Sequence, residues 1–260
     1  MGFALGMMFT GEADGPKAKY PHYRIYKSSR EHWHEPRERS NDRLAKWKPC
    51  TPEYAAEASA VSYYFGQKLH VELGIPVGII IQAYAGTPIE GWMPKAIQMG
   101  DPRAVASIKD LDEKYKRGGN VAAQRKPALA AYEKELKNYN ARVDAGDIMK
   151  NKVRKIGPPF ILRPPNMGHQ YPANIYNAMI RPVVPYGIRG MIWYQGERNS
   201  KHASQAFHYR YQLPRMINHY RSIWHIGSWG AVSDSLPVLI TQLPSWKAPQ
   251  TKPVEGIESP

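Results

Sequence analysis

The chain has 260 residues, of which 42% are hydrophobic, so it is long enough to bury the core of one domain and too apolar for a disordered chain. Its formal net charge of +14 favours anionic partners, but the basic residues are scattered and no nucleic-acid-binding motif accompanies them. The single cysteine, Cys50, excludes an internal disulfide, and no apolar run reaches the roughly 18 residues of a membrane span. We therefore predict a solvated basic surface, no nucleic-acid partner and no membrane span.

The first predicted strand covers residues 23–26, where residue types alternate and Ile25 faces one side. The charged stretch that follows contains His32 and His34, a pair that could bind a metal. No carboxylate or cysteine at ligand spacing accompanies them. We therefore predict a surface loop there, and the sequence calls for no metal and no cofactor.

The clearest helix is predicted over residues 53–73, because apolar residues recur at three- and four-residue steps, namely Ala58, Val61, Phe65 and Leu69. Gly74 supplies the residue that ends it. The continuous apolar run at residues 75–81 then predicts a parallel strand covered on both faces. A helix, a glycine and a buried strand in succession favour an α/β layer architecture.

An insertion is predicted at about residues 94–165. Residues 108–115 and 127–143 have the composition of exposed helices, and Gly118 and Gly119 separate them. We predict a helical hairpin followed by a proline-rich loop over residues 158–165. It either covers the site or decorates one side of the fold.

A second buried strand is predicted at residues 190–194, and the chain changes at once to amide and charged side chains at residues 195–199. Ligands bind where the strands of an open α/β sheet run out into loops at their carboxyl ends. Residues 195–199 are therefore predicted to form the edge of a site, the alternative being an ordinary polar turn. Gln242, at the end of the last predicted buried strand (residues 237–243), faces the same edge.

Three stretches carry a family resemblance. They read Trp-Tyr-Gln-Gly-Glu-Arg-Asn at residues 193–199, Ala-Gly-Thr-Pro-Ile-Glu-Gly-Trp at residues 85–92 and Tyr-Asn-Ala-Met-Ile at residues 176–180. Taken in their order along the chain, these stretches resemble the sialate O-acetylesterase type of SGNH hydrolase. The resemblance implies a three-layer α/β fold, with a flavodoxin-like parallel sheet flanked by helices. It implies one such domain over residues 1–260, interrupted by the insertion.

The resemblance also implies an oxyanion hole, made by the side-chain amide of Gln195 and by backbone N–H groups of Gly86 or Ala85. Ala85 stands where the family usually has glycine, which would matter if the turn needed a positive φ there. Residues implied to support the site are Glu197, Asn199, Thr87, Glu90 and Gln242. Glu197 is expected to hold the backbone or Asn199, and a plain tight turn is the alternative for residues 85–88.

The family's nucleophile lies in a Gly-Gln-Ser-Asn-Met block and its base in an Asp-x-x-His block. Neither block occurs in these 260 residues, so the sequence is interpreted as the middle of an esterase, cut at both ends. His169 lies at the wrong place in the chain for the family's base.

The implied reaction is hydrolysis of acetyl esters on a carbohydrate substrate. The alternatives are a noncatalytic glycan-binding remnant and a glycosidase that pairs Glu197 with Glu90. Export is compatible with the family, and the sequence does not predict an oligomeric state.

Overall fold

The computed structural model describes residues 2, 4–8, 10–40, 45–117, 121–145 and 168–244. Three strands form one small sheet in the order β2-β1-β3: β1 is Tyr20–Lys27, β2 is Lys48–Cys50 and β3 is Val77–Ile81. β1 pairs with β3 in parallel and with β2 in antiparallel orientation. A second sheet pairs β4 (Met191–Trp193) with β5 (Val238–Ile240) in parallel.

The helices alternate with these strands. The α-helices are α1 (Gly11–Asp14), α2 (Pro52–Glu57), α3 (Ala60–Leu73), α4 (Lys95–Met99), α5 (Pro102–Arg117), α6 (Val121–Asp144) and α7 (Ala203–Gly227). A π-helix spans Tyr176–Ile180. Short 3-10 helices span Leu5–Met7, Gly15–Lys17, Ile89–Trp92, Arg181–Val183 and Asn199–Lys201.

The mixed α/β architecture is confirmed, but the predicted sheet is larger than the one observed. In the described part of the chain the strands form two separate sheets, and β2 is antiparallel to β1. The predicted burial of β5 is wrong, because Leu239 and Ile240 are 52% and 58% exposed. β5 pairs only with β4 among the described strands, so its other edge carries no hydrogen-bonded neighbour there.

The first core packs α3 against β1. Tyr23 and Ile25 lie on one buried face of β1, as the alternation predicts. Of the predicted stripe only Ala58, which lies just before α3, is fully buried; the prediction is wrong for Val61, Phe65 and Leu69, because the helix buries Ala60, Tyr63 and Gly66 instead. Gly66 faces the Tyr23 ring so closely that an added Cβ would lie 2.5 Å from it, which fixes the rotation of the helix.

The helix predicted over residues 53–73 is two helices. The chain is extended at Ala58 and Ser59, where Leu5 N–H donates to Ala58 O at 2.9 Å and Ala4 forms a bridge with Ser59. This long-range pairing interrupts a locally helical sequence. At the far end Gly74 has a φ of 64° and ends α3, as predicted.

The second core surrounds α7, which continues through Pro214. Its buried residues recur mainly at four-residue steps, namely Gln212, Met216, Ile217, Tyr220 and Trp224. They pack on the π-helix and on Ile89 and Trp92. This core lies directly beneath the loops that follow β3 and β4.

The predicted hairpin helices correspond to α5 and α6, which end and begin on either side of the two glycines. Ala104 and Ile108 anchor α5 in the protein, whereas α6 keeps most of its described side chains exposed. The proline-rich loop predicted at residues 158–165 lies outside the described residues. Within the described part of the chain, no helix has both the length and the apolar character needed to cross a membrane.

Candidate functional site

The loops that follow β3 and β4 meet at one edge of the fold. Gln195, two residues after β4, donates from Nε2 to the carbonyl oxygen of Thr87 at 2.9 Å. Gly2 lies against Ala83 of the first loop, since a Cβ on Gly2 would come within 2.9 Å of the Ala83 Cβ. The structure thus brings together the two loops that the sequence singles out, with Gly2 beside them.

The first loop makes a tight turn at Ala85 and Gly86. Gly86 has a φ of 71°, as the third residue of a type II turn requires, and Ala85 does not adopt a positive φ. Alanine therefore fits where the family usually has glycine. Both residues are exposed, and within the described part of the chain neither backbone N–H has a hydrogen-bond partner.

Thr87 closes this turn from the inside. Its hydroxyl donates to Tyr84 O at 2.8 Å and accepts from Trp92 Nε1 at 2.9 Å. Thr87 is 4% exposed, and the Trp92 ring packs edge-on against Trp193 of β4. The Thr87 hydroxyl therefore both donates and accepts inside the protein, and the turn is held from below.

Asn199 joins the two loops. Its Oδ1 accepts from Ile89 N–H at 2.9 Å and from Gln195 Nε2 at 3.0 Å, and its Nδ2 donates to Glu90 Oε2 at 3.0 Å. The side chain is buried, at 2% exposure. One amide side chain thus bonds to Ile89 and Glu90, which lie about 110 residues away in the sequence, and to Gln195, which lies four residues away.

Glu90, and not Glu197, is the carboxylate that holds Asn199. The other oxygen of Glu90 accepts from Gln212 Nε2 of α7 at 2.9 Å. Glu197 is exposed, so its predicted role at Asn199 is wrong. Because both oxygens of Glu90 accept amide hydrogens, this carboxylate serves as an internal link, which disfavours the glycosidase hypothesis.

The amide of Gln195 is fully engaged. Its two Nε2 hydrogens go to Thr87 O and Asn199 Oδ1, so the prediction that this amide donates directly to an oxyanion does not match the arrangement. Tyr209 of α7 donates to Gln195 O at 2.9 Å or to Gln195 Oε1 at 3.0 Å. Gln195 therefore links α7 to the turn.

Sequence reasoning missed Tyr209 and Gln212. Both lie on α7, and burial together with the charges of Glu197 and Glu90 raises the pKa of Tyr209 to about 12. Gln212 could have been found, because it falls on the same four-residue step as buried Met216 and Tyr220. Tyr209 lies three residues before Gln212, so a strict four-residue step does not include it and the pattern of buried residues does not point to it.

The outer rim of the turn carries a polar bridge and three rings. Gln170 donates to Gly86 O at 2.9 Å and accepts from Arg198 Nη2 at 3.4 Å. The His169 ring stacks on Tyr84 with centroids 4.8 Å apart, and His32 lies 5.9 Å from both rings. The described residues contain no cluster of three or more side chains that could bind a metal ion.

Gln242 lies two residues beyond β5 and is exposed. Its neighbour Leu243 packs against Gly196, where a Cβ would lie 2.9 Å from Leu243 Cδ1. The segment after β5 therefore borders the second loop through Leu243. Gln242 stays a candidate by position alone.

Comparisons with known proteins point to one family of esterases. Residues 166–258 match the family model described as carbohydrate esterase, sialic acid-specific acetylesterase. The sialate O-acetylesterase of Rattus norvegicus is 26% identical over 188 residues, which cover 72% of this chain and 30% of that protein. The protein of the same name from Homo sapiens is 25% identical over 205 residues, which cover 77% of this chain and 29% of that protein.

A solved structure shares the fold. The chain is similar to a carbohydrate acetylesterase from Xanthomonas citri, with a TM-score of 0.59 and 24% identity, over 92% of this chain and 38% of the other. The chain thus spans less than a third of the length of its curated relatives and just over a third of that solved chain. The resemblance to sialate O-acetylesterases that the sequence predicts is confirmed.

Proposed function

With the resemblance to the sialate O-acetylesterases as premise, we propose that this chain serves the hydrolysis of acetyl esters on carbohydrates and supplies the oxyanion hole for that reaction. The proposal is carried by one observation, the exposed Ala85–Gly86 turn with two backbone N–H groups that have no partner among the described residues. The substrate class, an acetylated sugar, comes from the names of its relatives.

The turn suits an anion. In ester hydrolysis a negative charge develops on the carbonyl oxygen, and fixed N–H donors stabilise it without having to reorganise. Thr87, Trp92 and Gln195 hold the turn from inside, so its free N–H groups are oriented before substrate arrives. Gln195 acts by fixing this turn, and Asn199 and Glu90 support it from below.

The other two requirements are a nucleophile and a base. The mechanism implied by the family uses a serine hydroxyl, activated by a histidine that a carboxylate orients. The 260 residues contain neither of the sequence blocks that carry these groups. We therefore expect these residues alone to show at most trace hydrolysis of para-nitrophenyl acetate.

The decisive assay compares this chain with a version that carries a Gly-Gln-Ser-Asn-Met block upstream and an Asp-x-x-His block downstream. Only the extended version should hydrolyse the ester at a rate typical of an enzyme. Full activity in the 260 residues would contradict the serine route proposed here.

One substitution tests the turn itself. Ala85→Pro removes the Ala85 N–H at the turn position where proline is favoured, so the backbone is retained. Losing one oxyanion donor costs about 3 kcal/mol, so kcat of the extended version should fall about 100-fold with little change in KM. Ala85→Gly keeps the N–H and is the matched control, expected to stay within about twofold.

The proposed site belongs to one domain over residues 1–260, which the insertion of about residues 94–165 interrupts. A second candidate function, noncatalytic glycan binding in the same cleft, is favoured by the net charge of +14. Calorimetry with acetylated and sialylated sugars separates the two. Heat of binding together with no hydrolysis in the extended version supports binding alone.

A further inference from the structure

We infer that Tyr209 is a positioning residue, which from helix α7 fixes the side-chain amide of Gln195 in the orientation that holds the Ala85–Gly86 turn. This inference deepens the proposed function, and its consequence for catalysis rests on that function. Its structural content, a link from α7 through Gln195 to the turn, is tested independently of any activity.

The hydroxyl of Tyr209 donates toward Gln195. Trp193 Nε1–H, which can only donate, points at the hydroxyl oxygen from 2.8 Å. The hydroxyl hydrogen is therefore left for Gln195, whose O and Oε1 lie 2.9 and 3.0 Å away. Both acceptors belong to the same residue and lie at nearly equal distances, so the single hydroxyl hydrogen is shared between the backbone and the side chain of Gln195 in a three-centre bond.

The orientation of the Gln195 amide matters because its Nε2 group faces two hydrogen-bond acceptors. Thr87 O is a carbonyl, and Asn199 Oδ1 is an acceptor because Ile89 N–H also donates to it. An amide rotated by half a turn would place Oε1 against two oxygens and would release Thr87. A hydroxyl donor at Oε1 therefore stabilises the rotamer in which Nε2 holds the turn.

The Tyr209 hydroxyl remains a hydrogen-bond donor at neutral pH. Burial, together with the charges of Glu197 and Glu90, raises the pKa of Tyr209 to about 12, so the phenol keeps its hydrogen at neutral pH. The chain also provides a matched comparison. Tyr211 lies two residues further along the same helix and is 50% exposed, and in the described part of the chain its side chain makes a ring contact with Phe207 and a cation–π contact with Arg210 but no hydrogen bond.

The test is nuclear magnetic resonance on the protein labelled with nitrogen-15, comparing Tyr209→Phe with Tyr211→Phe. In Tyr209→Phe the Gln195 side-chain amide signals should move toward free-glutamine positions and exchange with water at least tenfold faster. The backbone amide signal of Gly86 should shift with them. Tyr211→Phe should leave both sets of signals in place.

A measurement on the unmodified protein keeps the inference testable if Tyr209→Phe does not fold. The Tyr209 hydroxyl proton should give nuclear Overhauser contacts to the Trp193 indole N–H and to the Gln195 side chain. Absence of these contacts overturns the inference, as does a folded Tyr209→Phe protein with unchanged Gln195 and Gly86 signals.

Activity is a separate readout. In the extended version Tyr209→Phe should lower kcat about tenfold and leave KM within about twofold, whereas Tyr211→Phe should change neither. If the unmodified extended version is inactive, the proposed function fails, and the resonance data alone decide the link through Gln195. If it is active and Tyr209→Phe retains full kcat, the positioning role is overturned.

Discussion

The two cores of this protein bury similar side chains but differ in what happens to their polar groups. In the first core the buried Tyr23 hydroxyl donates to a nearby backbone carbonyl, Ser62 O at 2.7 Å. In the second core amide and carboxylate side chains bond to one another across the chain, as Glu90 does with Asn199 and Gln212. The Tyr23 bond stays within its own core, whereas the network of side chains in the second core also fixes the loops above it.

This difference predicts two kinds of response to mutation. The first core should respond to changes of volume, because its contacts are rings and small residues in close packing. The second should respond to the loss of a hydrogen-bonding group, because each buried amide left without a partner retains its desolvation penalty. Only changes in the second core should reach the Ala85–Gly86 turn.

The largest effect is expected for Glu90→Ala. It removes the acceptor of Asn199 Nδ2 and of Gln212 Nε2, and hydrogen bonds to a charged group contribute about 1.5 to 3 kcal/mol each. The free energy of unfolding should fall by about 3 to 5 kcal/mol in urea denaturation. The Gly86 amide signal should shift as well.

Glu90→Gln sharpens this test. A glutamine there can still accept from one amide, and Gln212 can turn its buried Oε1, which has no hydrogen-bond partner in the described structure, toward the new NH2 group. The loss should therefore be about half that of Glu90→Ala. Equal losses in both variants would show that the carboxylate charge, and not the pattern of donors and acceptors, stabilises the network.

Gly66→Ala tests the first core by volume. An added Cβ would lie 2.5 Å from the Tyr23 ring, which cannot move freely because its hydroxyl is bonded to Ser62 O. Overpacking of this kind costs about 1 to 3 kcal/mol, to be measured by urea denaturation. The resonances of Gly86 and Gln195 should not change, and a shift there would contradict the separation of the two cores.

The sequence predicts well what depends on neighbouring residues. The strands β1, β3 and β4 and the glycine that ends α3 follow from local pattern, and so does the polar edge at Gln195. It predicts poorly what depends on distant partners. The break between α2 and α3 comes from Leu5 and Ala4 pairing with Ala58 and Ser59, which no local pattern contains.

The candidate site shows the same limit. The family resemblance singles out Gln195, Glu90 and Asn199, but it does not indicate which of them bond to one another, and it does not single out Gln212 or Tyr209. Asn199 is about 110 residues from Glu90, and hydropathy gives no reason to prefer it to Glu197. Counting apolar residues predicts the wrong face for the buried stripe of α3. Such a count gives little weight to Tyr63, which buries its ring, and to Gly66, which has no side chain.

A smaller effect is expected for Gly86→Ala. The residue has a φ of 71°, which costs an alanine about 1 kcal/mol, and the space around its missing Cβ is open. The free energy of unfolding should fall by about that amount. Gly187→Ala is the matched control, because Gly187 has similar open space without a positive φ, and it should be close to neutral or slightly stabilising.

The smallest effect is a dependence of stability on pH through His219 of the second core. Burial lowers the pKa of His219 below its ordinary value of 6.5, and Tyr176 Oη lies 3.2 Å from its Nε2. The folded protein therefore favours the neutral ring, so this contribution to stability is complete above pH 6.5 and is lost as the pH falls through the lowered pKa. The melting temperature of the unmodified protein should drop more steeply than that of His219→Gln between pH 7.5 and about pH 5. Parallel curves for the two proteins would place the acid sensitivity outside this core.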